Sequence, residues 1–379
     1  MLATGCPLTR PSPVQPHAPE PSLDGPAQQP PPTTKQSITW ARAATPADVP
    51  GPPPPGTWRV HMIDVGTGLA ILVQGADFTL LYDAGSNDPD EKPARVMAYL
   101  TAALGPSGDE QCVGAGVPSA ARRRIDHVIL SHPHQDHASA LDLVLHCFEV
   151  GDVWDSGRVN DAVFYRDFLY AVAEATGATY HTASPPPDDR RIAVKGQVVT
   201  IPPEVAWQSF SEGDEVTLGA DARLTLLHAE AKGHADPNGN SIVVAVDLGG
   251  ARVLLTGDAE SGERADPSAP LGDVEEHVVT HFPALVDADI LQVGHHGSKT
   301  SSRRAFLDAV SPMVALVSAG PRRYRKTRLP DAEVLAALAA TGAAVLRTDE
   351  HDGACPTSPR IGADKGAGGC DAWVVTIGP

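Results

Sequence analysis

The chain carries its clearest chemical signal in seven residues, Ser131-His132-Pro133-His134-Gln135-Asp136-His137. They bring together three imidazoles and one carboxylate directly after 125–130, an apolar run that is typical of a buried strand. Imidazole and carboxylate groups are ligands of Zn²⁺, Mn²⁺ and Fe²⁺. Because a loop at the end of a strand can turn several side chains toward one point, the stretch predicts a site for one or two divalent metal ions, zinc or manganese.

On both sides of this stretch, strand and helix patterns alternate, and the alternation occurs twice. The first half predicts strands at 58–65, 69–74, 78–82 and 125–130 and helices at 93–104, 138–148 and 161–176. The second half predicts strands at 222–227, 241–247, 252–256, 290–293, 314–317, 343–347 and 372–377 and helices at 274–285, 302–309 and 331–341. This order suits an α/β (α+β) fold in which two sheets pack together with helices outside, an αββα four-layer sandwich.

Composition and charge narrow the possible partners. The 379 residues are 42% hydrophobic and 20% charged, which is typical of a globular protein. No apolar run reaches the roughly 18 residues that a transmembrane segment needs. The formal net charge of -18 argues against general nucleic-acid binding, because a phosphate backbone is attracted to basic surfaces. An anionic substrate would therefore need metal ions and a local basic patch.

The first 57 residues differ from the rest in composition. They contain 16 of the 36 prolines and end in Pro52-Pro53-Pro54-Pro55. Proline fixes φ and removes a backbone donor, so it opposes both helix and sheet. We expect residues 1–57 to be a disordered tether, or a dispensable tail, and residues 58–379 to form the folded domain.

The five cysteines indicate where in the cell the protein is located. Cys6 follows Leu-Ala-Thr-Gly at 2–5, small residues of the kind that precede the modified cysteine of bacterial lipoproteins, although the basic start and apolar stretch of a signal are missing. This pattern predicts an extracytoplasmic protein with a lipid anchor at Cys6; the alternative is an ordinary tail residue in a cytoplasmic protein. The other cysteines can form two disulfides, Cys355 with Cys370 across a glycine-rich loop and Cys112 with Cys147.

The spacing His-x-His-x-Asp-His at 132–137 resembles the metal-binding motif of the metallo-β-lactamase superfamily. Other landmarks of that family follow in the expected order. They are Leu-Tyr-Asp-Ala-Gly at 81–85, Leu-Leu-Thr-Gly-Asp at 254–258 and His-His-Gly-Ser-Lys-Thr-Ser at 295–301. The resemblance covers residues 58–379 and implies a metal-dependent hydrolase.

Finer details resemble the ComEC/Rec2 group of that superfamily. They are Ile-Asp-Val-Gly-Thr-Gly at 63–68, Asn-Ser at 240–241 and Arg-Thr-Asp at 347–349 with Gly353. In this group the domain is usually attached to a DNA-uptake membrane channel and is thought to act as a nuclease, and this chain resembles the stand-alone members. Three features depart from the group. Leu69 replaces a usual aspartate, Leu329-Pro330 replaces His-Pro, and neither His228 nor His234 has the spacing of a third histidine motif.

The resemblance and the site chemistry together assign the metal ligands, which are His132, His134, Asp136, His137, Asp258 and His295. We assign His132 and His134 to one ion, and Asp136 and His137 to the other. The family motif implies that Asp258 bridges the ions, as a carboxylate with two oxygens can. His295 would complete the coordination of one ion.

Catalytic and supporting roles follow from the same resemblance. Asp136 would also orient the attacking water, and His296 would either support the ligands or donate a proton to the leaving group. Asp83 would organise the loop at 131–137, called the metal loop below. Asp64 and Asn240 would be further supporting residues. Asp64 can equally serve only the turn at 66–68.

Two segments offer positive charge to a substrate. Ser298, Lys299 and Thr300 supply a cation and two hydroxyls that suit a phosphate; a helix cap with a solvated lysine is the alternative. The run Arg-Arg-Tyr-Arg-Lys-Thr-Arg at 322–328 can guide phosphates, with Tyr324 stacking on a base. A solvated surface loop is the alternative for this basic run.

These observations predict a hydrolase that uses a metal-activated water, with a small-molecule or nucleic-acid phosphoester as substrate, as in a ComEC-like nuclease or phosphodiesterase. Hydrolysis of another ester, a lactone or a thioester is the alternative, because a fold does not determine a substrate. A metal-binding adaptor without turnover is the alternative from another class, and it draws on the departures at Leu69 and Leu329.

Overall fold

Apolar runs that are continuous, or that alternate with polar residues, form the strands of two large β-sheets. A computed structural model describes residues 36–88, 94–114, 116–324, 326–355, 360–362 and 368–379. Its strands are β1 (Ser37–Ala43), β2 (Trp58–Met62), β3 (Ile71–Gln74), β4 (Thr79–Tyr82), β5 (Arg124–Leu130), β6 (Glu149–Asp155), β7 (Thr179–Thr182), β8 (Arg191–Val194), β9 (Gln197–Thr200), β10 (Ala206–Ser209), β11 (Glu215–Gly219), β12 (Ala222–His228), β13 (Val243–Leu248), β14 (Ala251–Leu255), β15 (Ile290–Gln292), β16 (Val314–Val317), β17 (Arg323–Tyr324), β18 (Thr327–Arg328), β19 (Ala344–Arg347) and β20 (Ala372–Gly378).

Helices form where apolar residues recur every three or four positions, as in the first helix, which buries Val96, Tyr99, Leu100 and Ala103. The helices are α1 (Ala94–Leu104), α2 (Glu110–Val113), α3 (Gln135–Ala138), α4 (Leu141–Cys147), α5 (Val163–Glu174), α6 (Asp273–His281), α7 (Pro283–Val286), α8 (Arg304–Val310) and α9 (Ala332–Thr341). Short 3₁₀ turns lie at Pro46–Asp48, Pro237–Asn240, Gly294–Gly297 and Asp352–Ala354.

The strand order places the carboxyl ends of several parallel strands side by side. The larger sheet has the order β1-β20-β2-β3-β4-β5-β6-β7-β10, and the smaller has β11-β12-β13-β14-β15-β16-β19. Strands β4 to β7 run parallel, as do β14, β15, β16 and β19. Ligand-binding loops of such sheets lie beyond the carboxyl ends of the strands.

Three apolar layers hold the two sheets and the helices together. Residues such as Leu80 and Val246 fill the space between the sheets. Helices α1, α4 and α5 cover the outer face of the larger sheet through a core that includes Tyr99 and Phe168. Helices α6, α8 and α9 cover the smaller sheet through a core that includes Phe306. The αββα four-layer sandwich expected from the sequence is therefore confirmed.

The expected domain boundary at residue 58 is wrong. Residues Ser37–Ala43 form β1, which pairs antiparallel with β20 through seven residue pairs, from Ser37 with Gly378 to Ala43 with Ala372. This segment contains no proline, and its residues lie between the proline-rich parts of the first 57. An average over 57 residues concealed a strand of seven. Residues 1–35, with the anchor expected at Cys6, lie outside the described residues.

The predicted helix at 274–285 is also divided. It forms α6 and α7, and the residue between them, Phe282, has φ -127°. Pro283 lacks an amide hydrogen, and its ring pushes the preceding residue away from helical backbone angles. In the part of the chain that the structure describes, no helix is both long and apolar enough to cross a membrane.

Both expected disulfides are present. Cys112 in α2 bonds to Cys147 at the end of α4, with their Cα atoms 5.6 Å apart. Cys355 bonds to Cys370, two residues before β20, with their Cα atoms 5.7 Å apart. These cross-links join segments that are 35 and 15 residues apart in sequence.

A chain that begins at Trp58 should be less stable than one that begins at Gln36. Removing β1 loses the ladder with β20 and uncovers the edge of that strand, which favours association as well as unfolding. We expect a Tm lower by roughly 3 °C or more in calorimetry, with increased light scattering. Equal Tm values for the two chains would contradict a structural role for β1.

Candidate metal centre

Four loops at the carboxyl ends of strands bring the candidate ligands together. Residues 131–137 follow β5, and Asp83 follows β4 in the same sheet. Asp258 follows β14, and the pair His295 and His296 follows β15 in the other sheet. The cluster therefore lies where the two sheets meet, and neither sheet contains all of it.

His132 and His134 face each other as two ligands of one ion would. The Nε2 atom of His132 lies 2.9 Å from Nδ1 of His134 and 3.9 Å from Oδ2 of Asp258. The side chain of His132 is fully buried, whereas that of His134 is 32% exposed. The first half of the cluster is thus open to solvent on the His134 side.

The second half combines Asp136, His137 and His296, whose ligand atoms lie within 4.8 Å of one another. The Nε2 atom of His296 is 3.7 Å from Oδ2 of Asp136 and 3.6 Å from Oδ2 of Asp258. The Nε2 atom of His137 is 3.3 Å from the other Asp258 oxygen, Oδ1. Asp258 thus contacts both halves, as a bridging carboxylate would.

Three atoms of this cluster are buried without a hydrogen-bond partner among the described residues. They are Oδ1 of Asp258 and the Nε2 atoms of His137 and His296. An unpaired buried polar group costs about 1–3 kcal/mol, so such atoms are normally paired. Imidazole nitrogens and carboxylate oxygens are the donors that divalent transition metals prefer. The residues present therefore fit a metal centre.

The structure changes the expected roles of the late histidine pair. His296, and not His295, joins Asp136 and His137, and its Nδ1 lies 3.0 Å from the carbonyl of Ser318. His295 directs Nε2 to within 3.9 Å of Asp258, and its Nδ1 lies beside Glu260. Both have left-handed backbone angles, with φ 46° and 53°. That backbone turns two successive side chains toward one cluster, which sequence spacing does not reveal.

Asp83 contacts both ends of the loop at 131–137. Its carboxylate accepts hydrogen bonds from the amide and hydroxyl of Ser131, both at 2.7 Å, and lies 2.8 Å from Nδ1 of His137. A carboxylate on one imidazole nitrogen orients the other nitrogen toward the ligand site. Asp83 itself has φ 59°, a left-handed backbone that is uncommon for a residue other than glycine.

The other two supporting residues act at a distance from the ligands. Asp64 accepts hydrogen bonds from the amides of Gly66, Cys370 and Asp371, so it holds the turn at 66–68 against the C-terminal segment. Asn240 donates to the carbonyls of Glu230 and Lys232 and so holds the loop that precedes it. The alternative in which Asp64 serves the turn is the one that the structure supports.

The side chains of 298–300, which are expected to contact a phosphate, all have protein partners in the structure. The ammonium of Lys299 forms an ion pair with Glu333 at 2.8 Å. Ser298 is buried and accepts a hydrogen bond from Arg264. Thr300 lies 2.7 Å from Nδ1 of His295. The cation and both hydroxyls are therefore engaged by protein groups, and Thr300 supports a histidine of the cluster instead of a substrate.

Neither candidate for a third histidine motif reaches the cluster. Nδ1 of His228 lies 2.7 Å from the carbonyl of Ser241, and His234 pairs with Glu230. The side chain of Ser241 instead lies 3.5 Å from Nδ1 of His132. Ser241 of the Asn-Ser segment thus lies beside the candidate ligand His132, where a third histidine motif is expected.

The basic run reaches the cluster through Tyr324. The Tyr324 hydroxyl donates to Oδ2 of Asp136 at 2.7 Å. Tyr324 thus contacts a candidate metal ligand through its hydroxyl, and stacking of its ring on a base stays a prediction. Arg328 pairs with Asp352, and Arg322 bonds to the carbonyl of Asn87. Arg325 lies outside the described residues.

Opposite charges stabilise one another inside the cluster. Burial would raise the pKa of Asp136 and of Asp258, but the neighbouring His137 and His296 hold both pKa values below the ordinary range. Burial would lower the pKa of His137, but Asp258 and Asp83 raise it well above the ordinary value. Buried carboxylates at these positions need positive charge beside them, and a divalent cation can supply it.

Replacing Tyr324 with phenylalanine should weaken metal binding by about 10- to 100-fold, because it removes the hydrogen bond that orients Asp136. Competition with a chromogenic chelator measures the affinity, and circular dichroism checks the fold. Tyr170→Phe is a matched control, since it removes an exposed hydroxyl that contacts only Gln197 among the described residues. Equal affinity in the wild type and both variants would show that Tyr324 does not position Asp136.

Several known proteins are similar to this chain in sequence. The chain is 30% identical over 285 residues to the uncharacterized protein YcaI of Escherichia coli, covering 74% of this chain and 28% of YcaI. It is 28% identical to recombination protein 2 of Haemophilus influenzae and 27% to ComE operon protein 3 of Bacillus subtilis. Those matches cover 77% of this chain and 28% and 32% of the relatives. The chain therefore spans about a third of each relative.

Among solved structures, the metallo-beta-lactamase fold protein YhfI of Bacillus subtilis matches with a TM-score of 0.41 and 14% identity, covering 77% of this chain and 97% of YhfI. A family model described as the metallo-beta-lactamase superfamily matches residues 63–320. That range contains the metal loop, Asp83, Asp258 and both late histidines. The chain belongs to the metallo-β-lactamase superfamily.

Proposed function

We propose that the protein hydrolyses a phosphoester with a metal-activated water. One observation carries the proposal. Asp258 lies between two histidine-containing halves of a buried cluster. Its Oδ1 atom and the Nε2 atoms of His137 and His296 have no hydrogen-bond partner among the described residues. When bound there, divalent metal ions lower the pKa of a coordinated water toward about 7 and neutralise charge that develops on the substrate.

The residues of the chain divide the remaining work. His132 and His134 would hold one ion, Asp136 and His137 the other, and Asp258 both. Tyr324 keeps the Asp136 carboxylate in one orientation, in which it can also accept a hydrogen bond from the attacking water. His296 has two carboxylates within 3.7 Å of Nε2, which favours a ligand role over proton donation to a leaving group.

A phosphoester is favoured over other esters by the charge near the cluster. Arg323, which precedes Tyr324 in β17, and Lys326, which precedes β18, are exposed, and among the described residues neither has an ion-pair partner. Cations beside a metal site attract an anionic substrate. The similarity to recombination and competence proteins also supports a phosphoester. The chain resembles the ComEC/Rec2 group, whose domain is thought to act as a nuclease.

The departures from the ComEC/Rec2 pattern do not disturb the site, which argues against an adaptor without turnover. Leu69 is buried between the sheets, and its amide donates to the carbonyl of Asp136 at 2.9 Å. Leu329 is almost fully buried, and the next residue packs against Gly297. Both departures therefore lie beside loops that carry candidate ligands, and neither removes a residue of the cluster.

The purified chain loaded with Mn²⁺ or Zn²⁺ should hydrolyse bis(p-nitrophenyl) phosphate faster than p-nitrophenyl acetate or a lactone. Asp258→Asn should lower kcat/KM by about 10²- to 10³-fold, because the bridging charge is lost. Asp308→Asn is a control of the same chemistry on an exposed part of α8. Retention of the rate by Asp258→Asn, or after complete removal of metal by a chelator, would contradict the proposal, and a preference for the lactone would change the substrate class.

We also propose that the protein is extracytoplasmic and anchored by lipid at Cys6. The disulfides Cys112–Cys147 and Cys355–Cys370 support this location, because disulfides persist in oxidising compartments. Alkylation of intact cells followed by peptide mass spectrometry should find all four cysteines oxidised and Cys6 modified. Four free thiols with an unmodified Cys6 would favour the cytoplasmic alternative.

A further inference from the structure

A cavity of about 740 Å³ opens beside the metal cluster. It contacts the cluster through His295 and Thr300. Five carboxylic residues line it, and these are Glu230, Asp236, Glu260, Glu263 and Asp273. Tyr324 approaches the cluster through Asp136, so the cavity and the basic hairpin reach it through different ligands.

The charge of this cavity is negative and only partly compensated. Among the described residues that line it there is no lysine or arginine. Glu230 pairs with His234, and Glu260 pairs with His295. Glu263 and Asp273 are exposed, and neither side chain has an ion-pair partner among the described residues. A low-dielectric wall that carries one sign of charge concentrates ligands of the opposite sign.

His228 adds a second, independent sign of the ligand. It lines the same cavity, is 6% exposed, and has Nδ1 2.7 Å from the carbonyl of Ser241. A carbonyl only accepts, so Nδ1 carries the hydrogen and Nε2 carries a lone pair. The Nε2 atom has no hydrogen-bond partner among the described residues. The cavity therefore offers hydrogen-bond acceptors to a ligand that brings donors and positive charge.

The spacing of these groups suits an organic cation better than a metal ion. Among the described residues, no three side chains of this cavity bring ligand atoms within 4.8 Å of one another. A metal ion needs its ligands at about 2 Å, whereas an ammonium group is satisfied by acceptors spread over a wider surface. A polynucleotide would bring further phosphates toward the five carboxylates and be repelled.

We propose that this cavity binds the ammonium group of a small aminoalkyl phosphodiester whose phosphate lies at the metal cluster. The inference rests on the proposed phosphoester hydrolysis and names its substrate class. Such a substrate matches the cleft at both ends. Its anion faces the metal cluster and the cations of the basic hairpin, and its cation faces Glu263, Asp273 and the free nitrogen of His228.

The test compares 2-aminoethyl p-nitrophenyl phosphate with propyl p-nitrophenyl phosphate, which keeps the anionic phosphodiester and lacks the ammonium group, on the metal-loaded full chain. The aminoethyl ester should have a kcat/KM about tenfold higher at low salt, and this preference should fall as salt screens the charges. In Glu263→Gln/Asp273→Asn the ratio should fall toward one. Asparagine tolerates the left-handed backbone of Asp273, so this variant should fold.

A matched control removes the same charge elsewhere. Glu276→Gln/Asp287→Asn neutralises two exposed carboxylates, one in α6 and the other directly after α7, and neither lines the cavity. This variant should keep the wild-type preference. Equal rates for the two esters in the wild type, or an equal loss of preference in both variants, would overturn the inference and leave the proposed hydrolysis intact.

Failure of the proposed function has a different signature, which is no metal-dependent hydrolysis of either ester. In that case calorimetry with 2-aminoethylphosphonate and propylphosphonate still tests the cavity. Tighter binding of the amine, lost in Glu263→Gln/Asp273→Asn and kept in Glu276→Gln/Asp287→Asn, would support the ammonium site. Equal affinity for the two phosphonates would overturn it.

Discussion

The geometry of the metal centre depends on the buried carboxylate of Asp83. It accepts two hydrogen bonds from Ser131 and contacts His137 at Nδ1, so it fixes the start and the end of the metal loop at once. The preceding residue, Tyr82, donates to the carbonyl of Ile242, which directly precedes β13 of the other sheet. Asp83 therefore joins the metal loop to the end of β4, and Tyr82 joins the larger sheet to the smaller one.

A second constraint is electrostatic. Asp136 and Asp258 are buried close together, and a low-dielectric interior opposes two neighbouring negative charges. Without a metal ion, protonated imidazoles offset this negative charge. A bound divalent cation would offset it instead, and the histidines that coordinate the cation would be neutral. The same constraint explains why the cluster is built from loops of both sheets, since no single loop supplies enough positive and coordinating groups.

Around this centre the molecule separates its surface charges. The hairpin of β17 and β18 carries the exposed cations Arg323 and Lys326, and its Tyr324 hydroxyl reaches Asp136 of the cluster. The cavity beside His295 is acidic. An overall net charge of -18 hides this division, because the sum carries no information about position. The charge that a substrate meets is set by the local arrangement of a few side chains.

The sequence by itself determined the fold class and identified most residues of the candidate metal cluster. Apolar periodicity is a local property, and His132 to His137 lie in one loop, so neither depends on distant parts of the chain. The strand β1 could have been recognised from a proline-free segment with β-branched residues. It was missed because the composition of its neighbours was averaged with its own.

Only the tertiary structure decided which late histidine joins Asp136, since the left-handed backbone at His295 and His296 reverses the direction that spacing suggests. It also decided that Lys299 pairs with Glu333, because that contact joins segments from separate elements. The bond from Tyr324 to Asp136 spans 188 residues, and no local pattern encodes such a contact. Residue types and order specify which chemistry is available, whereas long-range packing decides which groups meet.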